Sequence, residues 1–391
     1  MTIDTGLTAT LVYGVAFILF VGFSWVPARW IGLPAPTGRN VNLDGLRGLA
    51  ALGVFFHHFA LTYRYRQTGR WELTPSHLFN ISGQGAVIIF FMITGYLFWG
   101  KISRAEGKPD WRSLYLSRLF RLAPLYWLVV VYVVAVALFS TAGAPINWGE
   151  VGNQVLSWVL FQQQDIHGFH NTWMSIAGVN WTLIYEWTFY FLLPLLAALY
   201  LLARRSRWVT ALLVAAGLFV TLQGFNLFTL TSSGSFLYFI LGGLTYSWGQ
   251  NPRLKGLVKA ASHPAAVAVP VVALTVLLVF FPEAYGLPQA LLMFLVFAPI
   301  AWGCSLGGLL KIRPIRLLGE ISYSVYLLQG VVLYLAFTVL WPSFFTQPRS
   351  VEVVFTSLLA SGVVLILLST LTFRFIEAPF IRLGKKVAEA K

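Results

Sequence analysis

The seventeen residues Leu46-Arg-Gly-Leu-Ala-Ala-Leu-Gly-Val-Phe-Phe-His-His-Phe-Ala-Leu-Thr62 form an apolar run broken by three ionisable side chains, Arg47, His57 and His58. Coiled as a helix at 1.5 Å per residue they reach about 26 Å, close to the ~30 Å hydrocarbon core of a bilayer. Runs of this kind recur along the chain, several of them roughly 18 residues or longer. The composition agrees: of 391 residues, 58% are apolar and 16% aromatic, and only 10% are charged. An ordinary soluble domain carries about 25% charged residues. A water-soluble fold, a disordered chain, a coiled coil and a secreted disulfide scaffold are therefore excluded. The expected fold class is all-α, a polytopic integral membrane helix bundle.

The 27 Lys and Arg residues against 13 Asp and Glu give a net charge of +14. In a soluble domain that balance would suggest nucleic acid. Here the basic residues sit between apolar runs, the positive-inside pattern of a multispanning protein. Cys304 is the single cysteine, so no intrachain disulfide and no cysteine metal cluster can form.

Spans are expected near 9–26, 46–62, 84–100, 122–140, 179–203, 208–225, 232–249, 264–281, 287–310, 319–341 and 351–377, eleven in all. The first has no Lys or Arg before it, and Arg29 and Arg39 follow it. It reads as a retained span with its N-terminus outside, not as a cleavable signal peptide. Connectors 27–45, 101–121, 204–207, 250–263 and 311–318 and the tail 378–391 contain Lys or Arg and are assigned to the cytoplasm. Segments 141–178, 226–231 and 282–286 contain none and go outside, as does 342–350 with only Arg349. Connector 63–83 runs against the rule, because it carries Arg64, Arg66 and Arg70 yet must lie outside for the spans to alternate. Segment 141–178 holds Trp148, Trp158 and Trp173 and is long enough for an interfacial helix with aromatic anchors. No repeat, low-complexity tract or long linker divides the chain. It is expected to be one membrane domain in the cytoplasmic (inner) membrane, with its C-terminus in the cytoplasm.

A titratable side chain deep in a span costs a few kcal/mol, so each is a functional candidate. His57 and His58 lie inside the second span and Glu186 inside the fifth, while Arg47, Glu320, Arg374 and Glu377 lie near inner ends. Arg47 and His58 are eleven residues apart, about three helical turns, and so share a face with ~16 Å between their backbones. His57 points ~100° away and is expected to be a hydrogen-bonded packing residue. Glu186, ~10 Å in from the outer end of its span, falls level with His58, ~17 Å in from the inner end of its own. It is expected to orient or charge His58, or else to lock two helices together.

Arg118 and Arg121, three residues apart at the start of the fourth span, are neighbours on one helix face. Lys101, Arg104, Lys108 and Arg112 precede them. Two guanidinium forks so placed can hold phosphate bidentately, although the inward bias of positive charge alone would supply cytoplasmic arginines. Asp44 is expected as a helix N-cap, and Gly83, Gly85 and Gly95 as sites of close helix approach. No metal-ligand spacing, Walker, dinucleotide or Gly-x-Ser-x-Gly pattern is present, so neither a metal nor nucleotide hydrolysis is expected.

Six stretches carrying these residues, in this order, resemble the acyltransferase 3 family of integral membrane acyltransferases. The first is Leu43-Asp-Gly-Leu-Arg-Gly-Leu-Ala-Ala-Leu-Gly-Val-Phe-Phe-His-His58, in which an arginine precedes histidine by ten intervening residues. Gly85–Leu97, Arg118–Tyr126, Asn180–Tyr190, Leu318–Leu328 and Phe375-Ile-Glu-Ala-Pro379 follow. The resemblance covers about residues 41–382, a ten-span core, with 1–40 supplying an additional span and linker and 383–391 a cytoplasmic tail. It implies transfer of acyl groups, commonly acetyl, from a cytoplasmic coenzyme A thioester to hydroxyls of extracytoplasmic glycans or glycolipids. Acetyl-CoA is then the donor. His58 is implied as the catalytic histidine with Arg47 its companion, Arg118 and Arg121 as the donor pair, and Glu186 as the glutamate of the family's fourth stretch. Lys101 and Arg112 are expected to assist the donor pair.

This chain has Gln329 where many members have histidine. Gln329 is expected ~16 Å deep, level with His58, lining a substrate cavity with Tyr323, Tyr96 and Trp181, but a carboxamide is neither acid nor base. With no soluble hydrolase-like domain after the membrane part, either that part acylates its acceptor directly or a separate periplasmic or extracellular transferase completes the step. Two other classes compete: a proton-coupled transporter or flippase of a glycan precursor, against which stands the lack of a repeated half, and a catalytically silent assembly subunit.

Overall fold

The computed structural model describes residues 6–33, 39–203, 225–226, 229–230 and 232–390. Their regular structure is helical apart from a two-residue antiparallel pair, Phe225–Asn226 with Thr229–Leu230. The main helices are α1 (Gly6–Phe23), α2 (Trp25–Ala28), α3 (Val41–Thr68), α4 (His77–Arg104), α5 (Trp111–Ser140), α6 (Trp148–Val159), α7 (Trp181–Ala203), α8 (Phe236–Gly249), α9 (Lys255–Ala260), α10 (Ala268–Phe280), α11 (Leu287–Trp302), α12 (Arg313–Glu320), α13 (Ser322–Tyr334), α14 (Val351–Thr372) and α15 (Ala378–Glu389).

Among the described residues six helices are long and apolar enough to cross a membrane. A bent pair, Pro252–Ala260 with Pro264–Phe280 at 86°, makes seven if it is one span. The chain is a multi-pass membrane protein. Of the run expected at 208–225, residues 208–224 lie outside the described residues. The run expected at 287–310 is helical only over Leu287–Trp302, because Gly303 leaves the helix at φ 135, a conformation closed to most side chains.

Helix α3 is the hub, packed against α4, α12 and α13. Its 28 residues run unbroken for about 42 Å, and Phe55, Phe56 and Phe59 are wholly buried. The Asn40 side chain caps its start by accepting from the Leu43 N–H at 3.3 Å. Asp44 is therefore not the cap. It lies in the first turn, where Arg39 bridges it at 3.0 Å and Glu320 at 2.7 Å. The apolar run marks the part of α3 packed inside the bundle, and the helix itself starts earlier, at Val41.

Small residues set the tightest contacts. A Cβ on Gly95 of α4 would stand 2.0 Å from the Phe239 carbonyl oxygen, and one on Gly242 of α8 would stand 2.0 Å from that of Met92. The two backbones touch, a recurrent means of helix association in lipid. Gly95→Ala should force α4 and α8 apart, and a loss of about 1–3 kcal/mol is expected for such overpacking, read as a lower melting temperature of the purified protein in detergent. Gly85 does not share this role: a Cβ there meets only the flexible end of Met293 at 3.4 Å.

The helix preceding the resemblance, α1, buries Ala9, Val12, Ala16 and Phe20 and leaves Leu7, Leu11, Val15 and Ile18 exposed. Tyr13 stacks on Phe56 of α3 at 4.1 Å, and Phe20 lies within 6 Å of Phe55 and Phe56. Gly362 of α14 leaves the space that the Phe20 ring fills. The 141–178 segment does contain a helix, α6. Of its three tryptophans only Trp148 is exposed, while Trp158 is fully buried and Trp173 packs inward.

Candidate active site

Helices α3, α5 and α7 converge near the Arg47 end of α3. Arg47, Arg118, Arg121 and Glu186 surround a chamber of about 70 Å³ that Tyr323 and Tyr326 of α13 help to enclose. Three guanidinium groups so close repel one another, and the nearby carboxylates offset part of that repulsion. Glu186 attracts Arg47, while Glu377 and Glu320 attract Arg121. The Tyr190 hydroxyl donates to Glu186. Glu377, only 1% exposed, accepts from the Ser324 hydroxyl and keeps its second oxygen without a partner. The Nε atoms of Arg47 and Arg118 are also buried without partners. Arginines in excess of carboxylates, with unused N–H groups, make a site suited to an anion.

Lys101 and Arg118 flank the Phe98 ring, each cation 5.3 Å from its centre. Lys101 also lines, with Arg104 and Asp110, an open groove of about 320 Å³ between α4 and α5. Arg118 lines the chamber but not the groove, and the Phe98 ring lies between it and Lys101. Arg112 belongs to neither: it is exposed and donates to the Val387 carbonyl of α15 at 3.4 Å.

Three turns along α3 from Arg47, His58 stands beside the Gln329 side chain of α13. His58 Nδ1 and Gln329 Oε1 are both buried without a geometric hydrogen-bond partner, and the Gln329 amide donates to the Tyr326 carbonyl at 3.1 Å. Trp71 stacks against the His58 ring at 6.3 Å. The expected pairing of Glu186 with His58 is not formed. No hydrogen bond or ion pair joins them, and Glu186 instead faces Tyr190 and the arginines. Glu186 lies at the level of Arg47, three turns along α3 from His58, so counting from the end of its apolar run misplaced it along the helix. The His57 ring stands edge-on to that of His58 at 5.1 Å but is held by other partners, its Nδ1 3.0 Å from the Phe79 carbonyl and its ring in the space left by Gly83.

Beyond His58 lies a second cavity of about 190 Å³, whose walls include Thr62, Arg66, Trp71, Gly330 and Tyr334. Thr62 is one turn past His58 on α3, and Gly330 adjoins Gln329 on α13, whereas Tyr326, one turn before Gln329, lines the first chamber. His58 and Gln329 line neither cavity, contrary to the expectation for Gln329, which is fully buried; along α3 and α13 they fall between the residues that line the first cavity and those that line the second. Tyr323 lines the first chamber and donates to the Leu122 carbonyl at 2.7 Å. Tyr96 and Trp181 line neither cavity. Tyr96 packs on Tyr246 at 5.4 Å and Trp181 on Tyr185 at 5.6 Å, on faces of their helices that a linear motif cannot resolve. Phe98, Trp71 and Arg66 had no assigned role in the sequence. For Arg66 a signal existed, its presence in the connector that breaks the charge rule.

The fold is that of a multi-pass membrane protein with an arginine-rich internal chamber at one end of the helix that also carries His58. Residues 40–374 match the acyltransferase domain model of the acyltransferase 3 family, and the chain belongs to that family. It is 25% identical over 372 residues to the Bacillus subtilis (strain 168) protein named "Putative peptidoglycan O-acetyltransferase YrhL", covering 86% of this chain and 54% of that one. It is 31% identical over 206 residues to acyltransferase MdmB of Streptomyces mycarofaciens, covering 49% of each chain. With nodulation protein 10 of Rhizobium leguminosarum bv. viciae it shares 26% identity over 229 residues, 53% of this chain and 60% of the relative. The chain thus spans about half the length of the curated relatives it matches. No solved structure matches it.

Proposed function

We propose that this protein is a membrane O-acetyltransferase, moving an acetyl group from cytoplasmic acetyl-CoA to a hydroxyl of an extracytoplasmic glycan or glycolipid. The observation that carries this reading is the position of His58 and Gln329, along α3 and α13, between the linings of two cavities, one rich in arginine and one lined by aromatic and polar groups. In an eleven-span arrangement the Arg47 end of α3 faces the cytoplasm. Coenzyme A phosphates then rest on Lys101, Arg118 and Arg121, and the arm runs past Arg47 for the ~16 Å that separates it from His58. The chamber of about 70 Å³ is narrower than that arm, so the donor displaces the long side chains of Arg47 and Arg118 as it comes in.

Neutral His58 takes the acceptor's hydroxyl proton as its oxygen attacks the thioester carbonyl. The C–S bond breaks, and the imidazolium of His58 returns the proton to the departing sulfur, so that coenzyme A leaves as the free thiol. Gln329 holds the imidazole in one tautomer without contributing a charge. Glu186 and Glu377 keep the empty chamber from carrying three uncompensated cations. The name of the Bacillus relative, a peptidoglycan O-acetyltransferase, favours a cell-envelope glycan as acceptor.

Purified protein in detergent should consume acetyl-CoA in the presence of envelope saccharides and release free thiol in equal amount to ester formed. A transporter would need a sealed membrane to show activity. No thiol release with any saccharide, from protein that is folded and monodisperse, would remove the acetyltransferase reading.

A further inference from the structure

The connector that breaks the charge rule holds three arginines, and the fold gives each a different setting. Arg64 is bridged to Glu72 at 2.9 Å. Arg70 is exposed. Arg66 reaches into the cavity beyond His58, where its guanidinium donates to the Pro342 carbonyl while its Nε is buried without a partner. Among the described residues it forms no salt bridge with a carboxylate. His170, which also lines the cavity, is paired with Asp165 at 3.4 Å, and Asp165 in turn accepts from the Thr172 N–H at 3.2 Å.

The rest of the cavity suits a sugar ring. Trp71 is braced by Trp173 at 5.5 Å and Tyr65 at 5.9 Å, and it connects the cavity to the His58 ring. Thr62, Asn171 and Tyr334 add hydrogen-bonding groups. A neutral sugar would displace water from Arg66 and leave its charge uncompensated, which is costly. An anionic group on the sugar would supply the missing partner, and a guanidinium fork matches a carboxylate or phosphate.

We propose that the cavity beyond His58 selects a saccharide bearing a carboxylate or phosphate, with the anion on Arg66 and the ring against Trp71. This assignment of the acceptor's class rests on the acetyl-transfer reading. It also accounts for a cation on the outer side of the membrane, where the overall charge pattern disfavours one.

The test uses the full chain in lipid nanodiscs and calorimetric titration with a hexuronate disaccharide, its methyl ester, a sugar phosphate and its dephosphorylated parent. The wild type should bind at least one anionic form about tenfold or more tightly than its neutral counterpart, as for a charged hydrogen bond. Arg66→Gln should reduce the difference to less than about twofold, Arg66→Lys should keep part of it, and Arg70→Gln should keep all of it. Equal binding of charged and neutral forms by the wild type, or a preference that survives in Arg66→Gln, overturns the proposal. Comparing ratios within one variant separates charge recognition from any loosening of the loop that Arg66 tethers through Pro342. Acetyl transfer is measured on the same samples. Transfer indifferent to acceptor charge would sink the pocket assignment alone. Charge-selective binding with no transfer to any saccharide would sink the acetyltransferase reading alone.

Discussion

His58→Gln should abolish detectable acetyl transfer while the protein still inserts and elutes as a folded species. Glutamine is polar and of similar reach, so the position beside Gln329 and Trp71 stays filled, but it cannot take a proton at neutral pH. Losing a general base typically costs 10²–10⁴ in rate, and a fall of about that size in kcat is expected. His57→Ala is the control. It removes the contact to the Phe79 carbonyl and opens a void against Gly83, so it should lower the melting temperature yet keep substantial activity. Transfer of radiolabelled acetyl, normalised to folded protein, distinguishes the two. Equal loss in both variants would refute the assignment of separate faces.

Arg118→Ala combined with Arg121→Ala should weaken coenzyme A binding by about 10²–10⁴, since each charged hydrogen bond is worth about 1.5–3 kcal/mol. The loss should appear in the Kd for coenzyme A and in the KM for acetyl-CoA. The KM for the saccharide should stay near its original value, because neither arginine lines the second cavity. Removing two cations leaves Glu377 and Glu186 less balanced, so the lysine pair, Arg118→Lys with Arg121→Lys, is a necessary companion. Lysine keeps the charge and loses the planar fork, and an intermediate affinity is expected. Unchanged coenzyme A affinity in the alanine pair would count against the phosphate role.

Much of the helical layout could be read from hydropathy, because lipid permits few alternatives to a helix for a long apolar segment. The placement of His58 near Gln329 also followed from counting rise per residue along two spans. Rotation about the helix axis was what counting could not supply, and depth counted from the end of an apolar run was misplaced for Glu186. Glu186 joins the arginines at the Arg47 end of α3 instead of lying level with His58, and Tyr96 and Trp181 belong to recognisable stretches yet line neither cavity. Helix ends were misjudged where polar residues extend a helix past its apolar core, as at Asn40 and Asp44. The run ending near residue 310 was cut short by Gly303, whose effect depends on backbone geometry and not on polarity. Arg66 looked like an exception to a topological rule, and only its position in a cavity gives that exception a use.

Helix α3 carries Arg47, His58 and Arg66 on one uninterrupted rod. About 28 Å of rise separates the two arginines, with the histidine a little past halfway. A tilt of roughly 10° about its centre would swing each end by about 2.4 Å in opposite senses. On the proposed reading, the donor side and the acceptor side are then mechanically coupled: a rocking that widens one mouth acts on the other through a stiff lever. Such a linkage would let the passage stay shut on one side while the other admits its substrate, keeping ions from leaking through and sparing the thioester from water.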